Sequence, residues 1–166
     1  MRSGKSKAII DLAEYLFHED EIEALIVVAP NGVHENWVRK EIPIHCSTKY
    51  SAMSFRASSA GSIWHRKAIG LVTKAQQVRG KLQIFCINAE SIRTEKGKAH
   101  LTEFIRGRRG KVLLCVDESH LFRTPGSART RVMRAFAKQC NWRRIMTGTL
   151  SSNSPLHVWS QFEILQ

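Results

Sequence analysis

Two short groups of residues in this chain have the types and spacing for phosphate chemistry. One is Gly4-Lys5-Ser6, which runs directly into Lys7-Ala8-Ile9-Ile10-Asp11-Leu12-Ala13-Glu14-Tyr15-Leu16, a helical pattern of apolar and polar residues. The other is Asp117-Glu118-Ser119-His120, which closes the apolar run Val112-Leu113-Leu114-Cys115-Val116. Gly-Lys-Ser ahead of a helix is the second half of a phosphate-binding loop, in which backbone amides and the helix N-terminus cradle phosphate oxygens. Lys5 would then reach the β- and γ-phosphates, and the Ser6 hydroxyl would bind magnesium. Two carboxylates at the end of a buried strand are costly unless they meet a cation, and a magnesium–nucleotide complex supplies one. Each group alone is a weak signal, since many surface helices begin with GKS and many strands end in solvated acids. More than a hundred residues apart, they are the two halves of one magnesium–nucleotide site.

The elements that must position these groups alternate along the chain. A helix is expected over residues 5–17 and a buried strand over 25–29, stopped by Pro30-Asn31-Gly32. A second helix is expected over 33–42, halted by Pro43. Residues 50–55 read as a strand and 63–78 as a helix with a basic face. The strand at 82–87 leads into the loop Asn88 to Ser91, and helix 99–106 leads through a Gly-Arg-Arg-Gly turn into the strand at Val112. After the turn 124–127 come a helix over 128–138, a short strand over 143–147 and a last helix over 155–165. Strands separated by helical patterns indicate an α/β fold, a mostly parallel sheet sandwiched by helices. An apolar run of the length of Val112 to Val116 belongs inside such a sheet, and ligands bind at the carboxyl edge of its strands.

Composition narrows the class. At 166 residues with 43% hydrophobic content, one domain with a substantial core is the expectation, and disorder is excluded. The net charge of +12 is regional: residues 1–60 hold 7 basic and 8 acidic side chains, whereas residues 61–166 hold 19 and 6. A polyanionic partner explains this asymmetry, nucleic acid first. Cys46, Cys86, Cys115 and Cys140 form no CxxC pair, and the seven histidines are dispersed, so no zinc or redox site is indicated. The longest apolar stretch is too short to span a bilayer and no signal peptide is visible, so no membrane partner is expected and the cytoplasm is the expected location.

Six blocks, in order and covering nearly the whole chain, are similar to the first motor domain of superfamily-two helicases. The branch they resemble is the Swi/Snf-type DNA translocases, with their compact phage and bacterial relatives. The blocks are GKS at 4–6, LIVVAPNGVHENWVRKE at 25–41, IFCINAESI at 84–92, DESH at 117–120, TGT at 147–149 and SNSPLHVWSQFEIL at 152–165. The resemblance implies a RecA-like fold and an ATP hydrolase that uses ATP and magnesium. Gly4, Lys5, Ser6 and Lys7 would hold the nucleotide, Ser6 and Asp117 the magnesium, and Glu118 would orient the attacking water as general base. His120, Thr147, Gly148 and Thr149 would couple the nucleotide state to nucleic-acid contact. Pro30, Asn31, Gly32, Asn88, Ser91 and Arg123 would line the track for a nucleic-acid strand, with DNA preferred over RNA and a prokaryotic or viral origin expected. Arg129 and Arg131 read equally as phosphate contacts or solvated surface, Trp37 as packing against the sheet, and Trp159 and Phe162 as core or as a docking face for a second domain.

Against the family's pattern, the phosphate loop here lacks its first glycine and the strand that feeds it. The expectation is a fragment: a single domain over 1–166 without its first strand, needing a second RecA-like domain in cis or trans to supply an arginine finger. Helicase and duplex-DNA translocase both remain open. The alternative to an active motor is a catalytically silent DNA-binding remnant of one.

Overall fold

A computed structural model describes residues 4–56, 70, 80–148 and 155–166. Five strands form one sheet: β1 (Ala24–Ala29), β2 (Tyr50–Phe55), β3 (Leu82–Asn88), β4 (Val112–Asp117) and β5 (Trp142–Met146). Their spatial order is β2-β3-β1-β4-β5, and every neighbouring pair is parallel. All residues of β1 and β4 are buried, which is why both read as unbroken apolar runs and not as alternating patterns. The register sets Ala29 of β1 beside Asn88 of β3, and Asp117 of β4 beside Met146 of β5. All five strands therefore end at one edge.

Helices cover both faces. On one face, α1 (Lys5–His18) buries Ile9, Ile10, Ala13 and Leu16 against Leu25, Val27 and Ala29 of β1 and Leu113 and Cys115 of β4. A helical segment beside it carries Trp37 and Ile42 into the same cluster. On the other face, α4 (Glu95–Arg106) and α5 (Ala128–Ala137) bury Leu101, Phe104, Met133 and Phe136 against Ile26, Val28, Phe85, Leu114 and Val116. The alternation of side chains along each strand thus divides the core into two layers. Among the described residues no helix is long and apolar enough to cross a membrane.

Several boundaries differ from the sequence expectation. Pro43 does not halt the second helix. The segment runs as α2 (Val33–Asn36), a π-helical turn Trp37–Glu41 and α3 (Ile42–His45), with Pro43 at the start of the last. A proline removes one amide hydrogen and crowds the carbonyl four residues back; a widened turn ahead of it relieves both. Helix α4 starts at Glu95, where the Thr94 side chain accepts from the Gly97 amide and caps it. Strand β5 ends at Met146, so Thr147 belongs to the loop, and α6 (Pro155–Phe162) ends before Leu165. The helix expected over 63–78 lies outside the described residues apart from Gly70.

The C-terminal half of α1 is tied to the rest of the fold by Glu14. Its Oε1 accepts from the Ser47 amide (2.8 Å), the Ser47 hydroxyl (2.8 Å) and the Thr48 amide (2.6 Å), pinning the loop that leads into β2. Burial alone would raise the Glu14 carboxyl, but the Thr48 and Ser47 donors outweigh it and hold it below its ordinary value of 4.5. Because the folded value is depressed, this stabilisation is present above the ordinary value and is lost as pH falls through the folded one. Glu14→Ala is expected to reduce hydrogen-exchange protection of the Ser47 and Thr48 amides roughly tenfold at neutral pH, about 1.4 kcal/mol. The wild-type protein should lose the same protection on acidification; an unchanged Glu14→Ala exchange pattern would remove the anchor from the account.

Candidate nucleotide site at the carboxyl edge of the sheet

Chain direction and sheet topology fix where a site can form. The connection leaving β1 packs on the α1 face, and the connection leaving β4 packs on the opposite face through α5. A crevice opens between neighbouring strands whose connections diverge in this way. At this edge lie Pro30, Asn31 and Gly32 after β1, Asn88 to Ser91 from β3, Glu118, Ser119 and His120 after β4, and Thr147 and Gly148 after β5. Thr149 lies outside the described residues.

Asp117 is the best-defined member. It ends β4 and is only 8% exposed. The Trp37 indole Nε1–H donates to its Oδ2 at 3.1 Å, and both groups are buried. Burial pushes the Asp117 carboxyl above its usual range, and the neighbouring Glu118 charge pushes the same way; the Trp37 hydrogen bond and the Lys5 ammonium pull it down. Lys5, 112 positions earlier, is therefore within electrostatic reach of this carboxylate. Gly4, just before it, holds a left-handed backbone (φ 70°, ψ 6°) and accepts from the Ala8 amide at 2.9 Å as α1 begins. Open space surrounds the position where a Cβ would sit, so the requirement for glycine there is conformational, not steric. Ser6 follows Lys5 in the first turn. Lys7 points away into an exposed 2.5 Å ion pair with Asp11.

Glu118 also holds a left-handed backbone, φ 54° and ψ 56°, which is uncommon for a non-glycine residue. Such strain persists where the surroundings enforce it. Here the surroundings are the 3-10 turn Ser119–Phe122 and what clamps it. The Ser119 hydroxyl donates to Gln161 Oε1 at 2.6 Å, and the Ser160 hydroxyl donates to the Phe122 carbonyl at 2.9 Å. Arg134 of α5 pairs with Glu163 at 2.5 Å beside them. Helix α6 thereby fastens the acidic turn from a segment some forty residues later. Within the turn, His120 Nδ1 lies 3.1 Å from Glu118 Oε2, an ionic contact whenever the ring is protonated.

The flanking loops touch each other. Asn88 Nδ2 donates to Asn31 Oδ1 at 3.3 Å, and Asn88 Oδ1 accepts from the Ser91 amide at 2.6 Å. Ser91 itself is buried and shapes the loop without reaching the surface. A Cβ on Gly97 would stand 1.9 Å from the Ser91 carbonyl oxygen, so α4 approaches this loop as only glycine allows. Arg123 is exposed beyond the acidic turn. Arg129 is only partly exposed. It pairs with Glu90 and donates to the Leu121 carbonyl at 3.5 Å, joining the Asn88–Ser91 loop to the turn after β4.

Trp37 packs against the sheet as its spacing suggests. Trp159 and Phe162 face outward instead, 52% and 42% exposed, on one side of α6 with Leu156. Three contributors were invisible in the sequence: the Trp37 donor, the Ser119–Gln161 clasp and His34. Fully buried behind the Pro30 loop, His34 has an imidazole that burial holds below its usual range, against the Pro30 carbonyl and the Glu35 charge.

An all-parallel five-stranded sheet covered by helices on both faces matches a RecA-like α/β domain. The chain belongs to the SNF2-related domain family, whose profile matches residues 1–166. Among solved structures it is similar to the Sulfolobus solfataricus SWI2/SNF2 ATPase core in complex with double-stranded DNA, at 15% identity and a TM-score of 0.65 over 99% of this chain and 30% of that one. A second similarity, to the Pyrococcus furiosus Hef helicase domain, has 14% identity and a TM-score of 0.37 over 93% of this chain and 35% of that one. The chain thus spans about a third of the length of either. No curated protein matches it.

Proposed function

We propose that residues 1–166 form the first motor domain of a DNA-dependent ATPase, a helicase or duplex-DNA translocase, in which magnesium-dependent ATP hydrolysis drives movement on nucleic acid. The observation that carries this reading is that Lys5, at the start of α1, is within electrostatic reach of Asp117, a carboxylate whose charge burial disfavours. A divalent cation supplies the missing positive charge. Among the described residues no group of three or more His, Cys, Asp or Glu side chains forms a protein cage for a metal. Magnesium commonly keeps water and phosphate oxygens as ligands and takes one or two from the protein. Ser6 and Asp117 would hold it, and the ion would neutralise charge on the β- and γ-phosphates.

The chain's own residues supply the rest. Gly4, Lys5 and Ser6 bind and orient the triphosphate at the start of α1. Glu118 takes a proton from the attacking water, and His120, Thr147, Gly148 and Thr149 link this event to the loops on the nucleic-acid side. Asn31, Gly32, Asn88 and Arg123 offer backbone amides, amide side chains and a guanidinium to a sugar–phosphate backbone, contacts that carry no sequence information. A second RecA-like domain would complete the site with an arginine.

The test is binding. A fluorescent ATP analogue with magnesium should bind the 166-residue protein, and Lys5→Ala should weaken it at least about tenfold, the loss of one charged hydrogen bond to phosphate. Duplex-DNA affinity should fall with salt, with a log–log slope of about −0.9 per phosphate contacted. Unchanged nucleotide affinity in Lys5→Ala beside intact, salt-dependent DNA binding would mark a silent remnant of a motor. Affinity for DNA that ignores salt would remove the nucleic-acid partner.

A further inference from the structure

Trp37 links the segment that follows β1 to the end of β4. It sits on the helical segment that begins immediately after the Pro30-Asn31-Gly32 loop, and it reaches across to Asp117, 80 positions later. It is 1% exposed, among the largest fully buried side chains of the described residues. Filling space alone does not call for an N–H donor. The indole carries one N–H, and a buried indole N–H needs an acceptor. Here the acceptor is one oxygen of a buried carboxylate, which itself needs donors. The Trp37 donor on Oδ2, together with the Glu118 backbone hydrogen bond, restrains the orientation of the carboxylate.

The backbone supports the placement. The π-helical turn begins at Trp37 itself. Single π-helical turns inside helices cost hydrogen-bond geometry and recur at functional positions. This one accommodates Pro43 and at the same time sets the angle at which the indole leaves the helix.

We propose that Trp37 is a positioning residue for Asp117: its indole N–H holds the carboxylate in the orientation that a magnesium–nucleotide complex requires. The inference rests on the reading of Asp117 as the magnesium-binding acid. Groups that orient a ligating side chain typically contribute 10–100-fold to metal affinity. Trp37→Phe keeps an aromatic ring and removes the donor together with some buried volume, and metal-free ADP affinity reports whether the loss of volume disturbs the site.

The experiment uses the whole 166-residue protein labelled with 15N, which carries four indole resonances. Magnesium is titrated at fixed ADP, and ADP is titrated without magnesium. In Trp37→Phe the magnesium concentration for half-saturation should rise about tenfold, while metal-free ADP affinity stays at the wild-type value. In the wild type, the Trp37 indole peak should move when magnesium is added with ADP, and Asp117→Ala should shift it and speed its exchange with water. Magnesium dependence unaltered in Trp37→Phe, or an indole peak indifferent to Asp117→Ala, overturns the proposal. Should Trp37→Phe fail to fold, the indole peak compared between wild type and Asp117→Ala decides alone. Asp117→Asn separates the two levels. Magnesium dependence that survives it refutes the magnesium-site reading and the inference with it, whereas its loss in Asp117→Asn and persistence in Trp37→Phe refutes the inference only.

Discussion

Glu118→Gln should eliminate phosphate release while leaving nucleotide binding intact. In a hydrolysis that proceeds through an activated water, the general base contributes about 10²–10⁴-fold, and glutamine cannot accept the proton. The geometry favours Glu118 for this role over Asp117. Asp117 is 8% exposed and already engaged by the Trp37 indole, whereas the Glu118 side chain is about a third exposed and held out of the strand by its left-handed backbone. The substitution changes no volume and leaves Asp117, Lys5 and Ser6 in place, so affinity for a magnesium–ATP analogue should stay within about twofold of wild type. Single-turnover phosphate release, with protein in excess over ATP, is the appropriate measurement because it does not require fast product release. Lys5→Ala gives the opposite pattern, in which binding is lost first. Hydrolysis that continues in Glu118→Gln at the wild-type rate would place the base elsewhere and take the turn after β4 out of the mechanism.

The strand-and-acid half of this site was legible because its signals are local. Val112 to Val116 reads as a buried strand, and two acids at its end need an explanation wherever the strand lies. The parallel sheet followed from the alternation of apolar runs with helical patterns, and the chain direction then placed Pro30, Asn88, Asp117 and Thr147 at one edge. What could not be read is which polar atom meets which. Periodicity shows that Trp37 faces inward, but the acceptor of its N–H is set by how α2 and the π-helical turn lie across the ends of β1 and β4. The same holds for Arg129, whose partner Glu90 belongs to a loop 39 positions earlier. Ser160 and Gln161 are polar by type and yet buried, with hydrogen bonds to Phe122 and Ser119 that nothing local in the sequence specifies. Pro43 misled for a different reason: its effect on a helix depends on the turn before it, and a π-helical turn has no sequence signature.

The second large effect is on stability. Phe85→Ala is expected to cost about 3–5 kcal/mol, a large part of the roughly 5–15 kcal/mol that separates folded from unfolded in a typical domain. Phe85 is fully buried in β3, between Ile26 of β1 and Met53 of β2. Its ring lies 5.1 Å from that of Phe104 on α4, at an interplanar angle of 41°, and 6.2 Å from Phe55 on β2. One side chain therefore joins a helix to two strands, and truncation leaves a cavity that three rigid neighbours cannot collapse into. For a chain of this length each kcal/mol shifts the melting temperature by about 2–4 °C, so a fall of roughly 6–20 °C is expected. Phe85→Leu, which keeps most of the volume, should cost much less. Denaturant midpoints that separate Phe85→Ala from wild type by under 1 kcal/mol would show that α4 is held to the sheet by other contacts. The consequence reaches the edge of the sheet, because β3 carries Asn88 three residues beyond Phe85 and α4 closes on the Ser91 carbonyl at Gly97. Weakening the fold here is expected to loosen the loop that meets Asn31 before it disturbs Asp117, which lies on β4 and accepts the Trp37 hydrogen bond. Nucleic-acid affinity should accordingly decline at lower temperature than magnesium–nucleotide affinity in Phe85→Ala, and a simultaneous loss of both would show that the two sides of the edge melt as one unit.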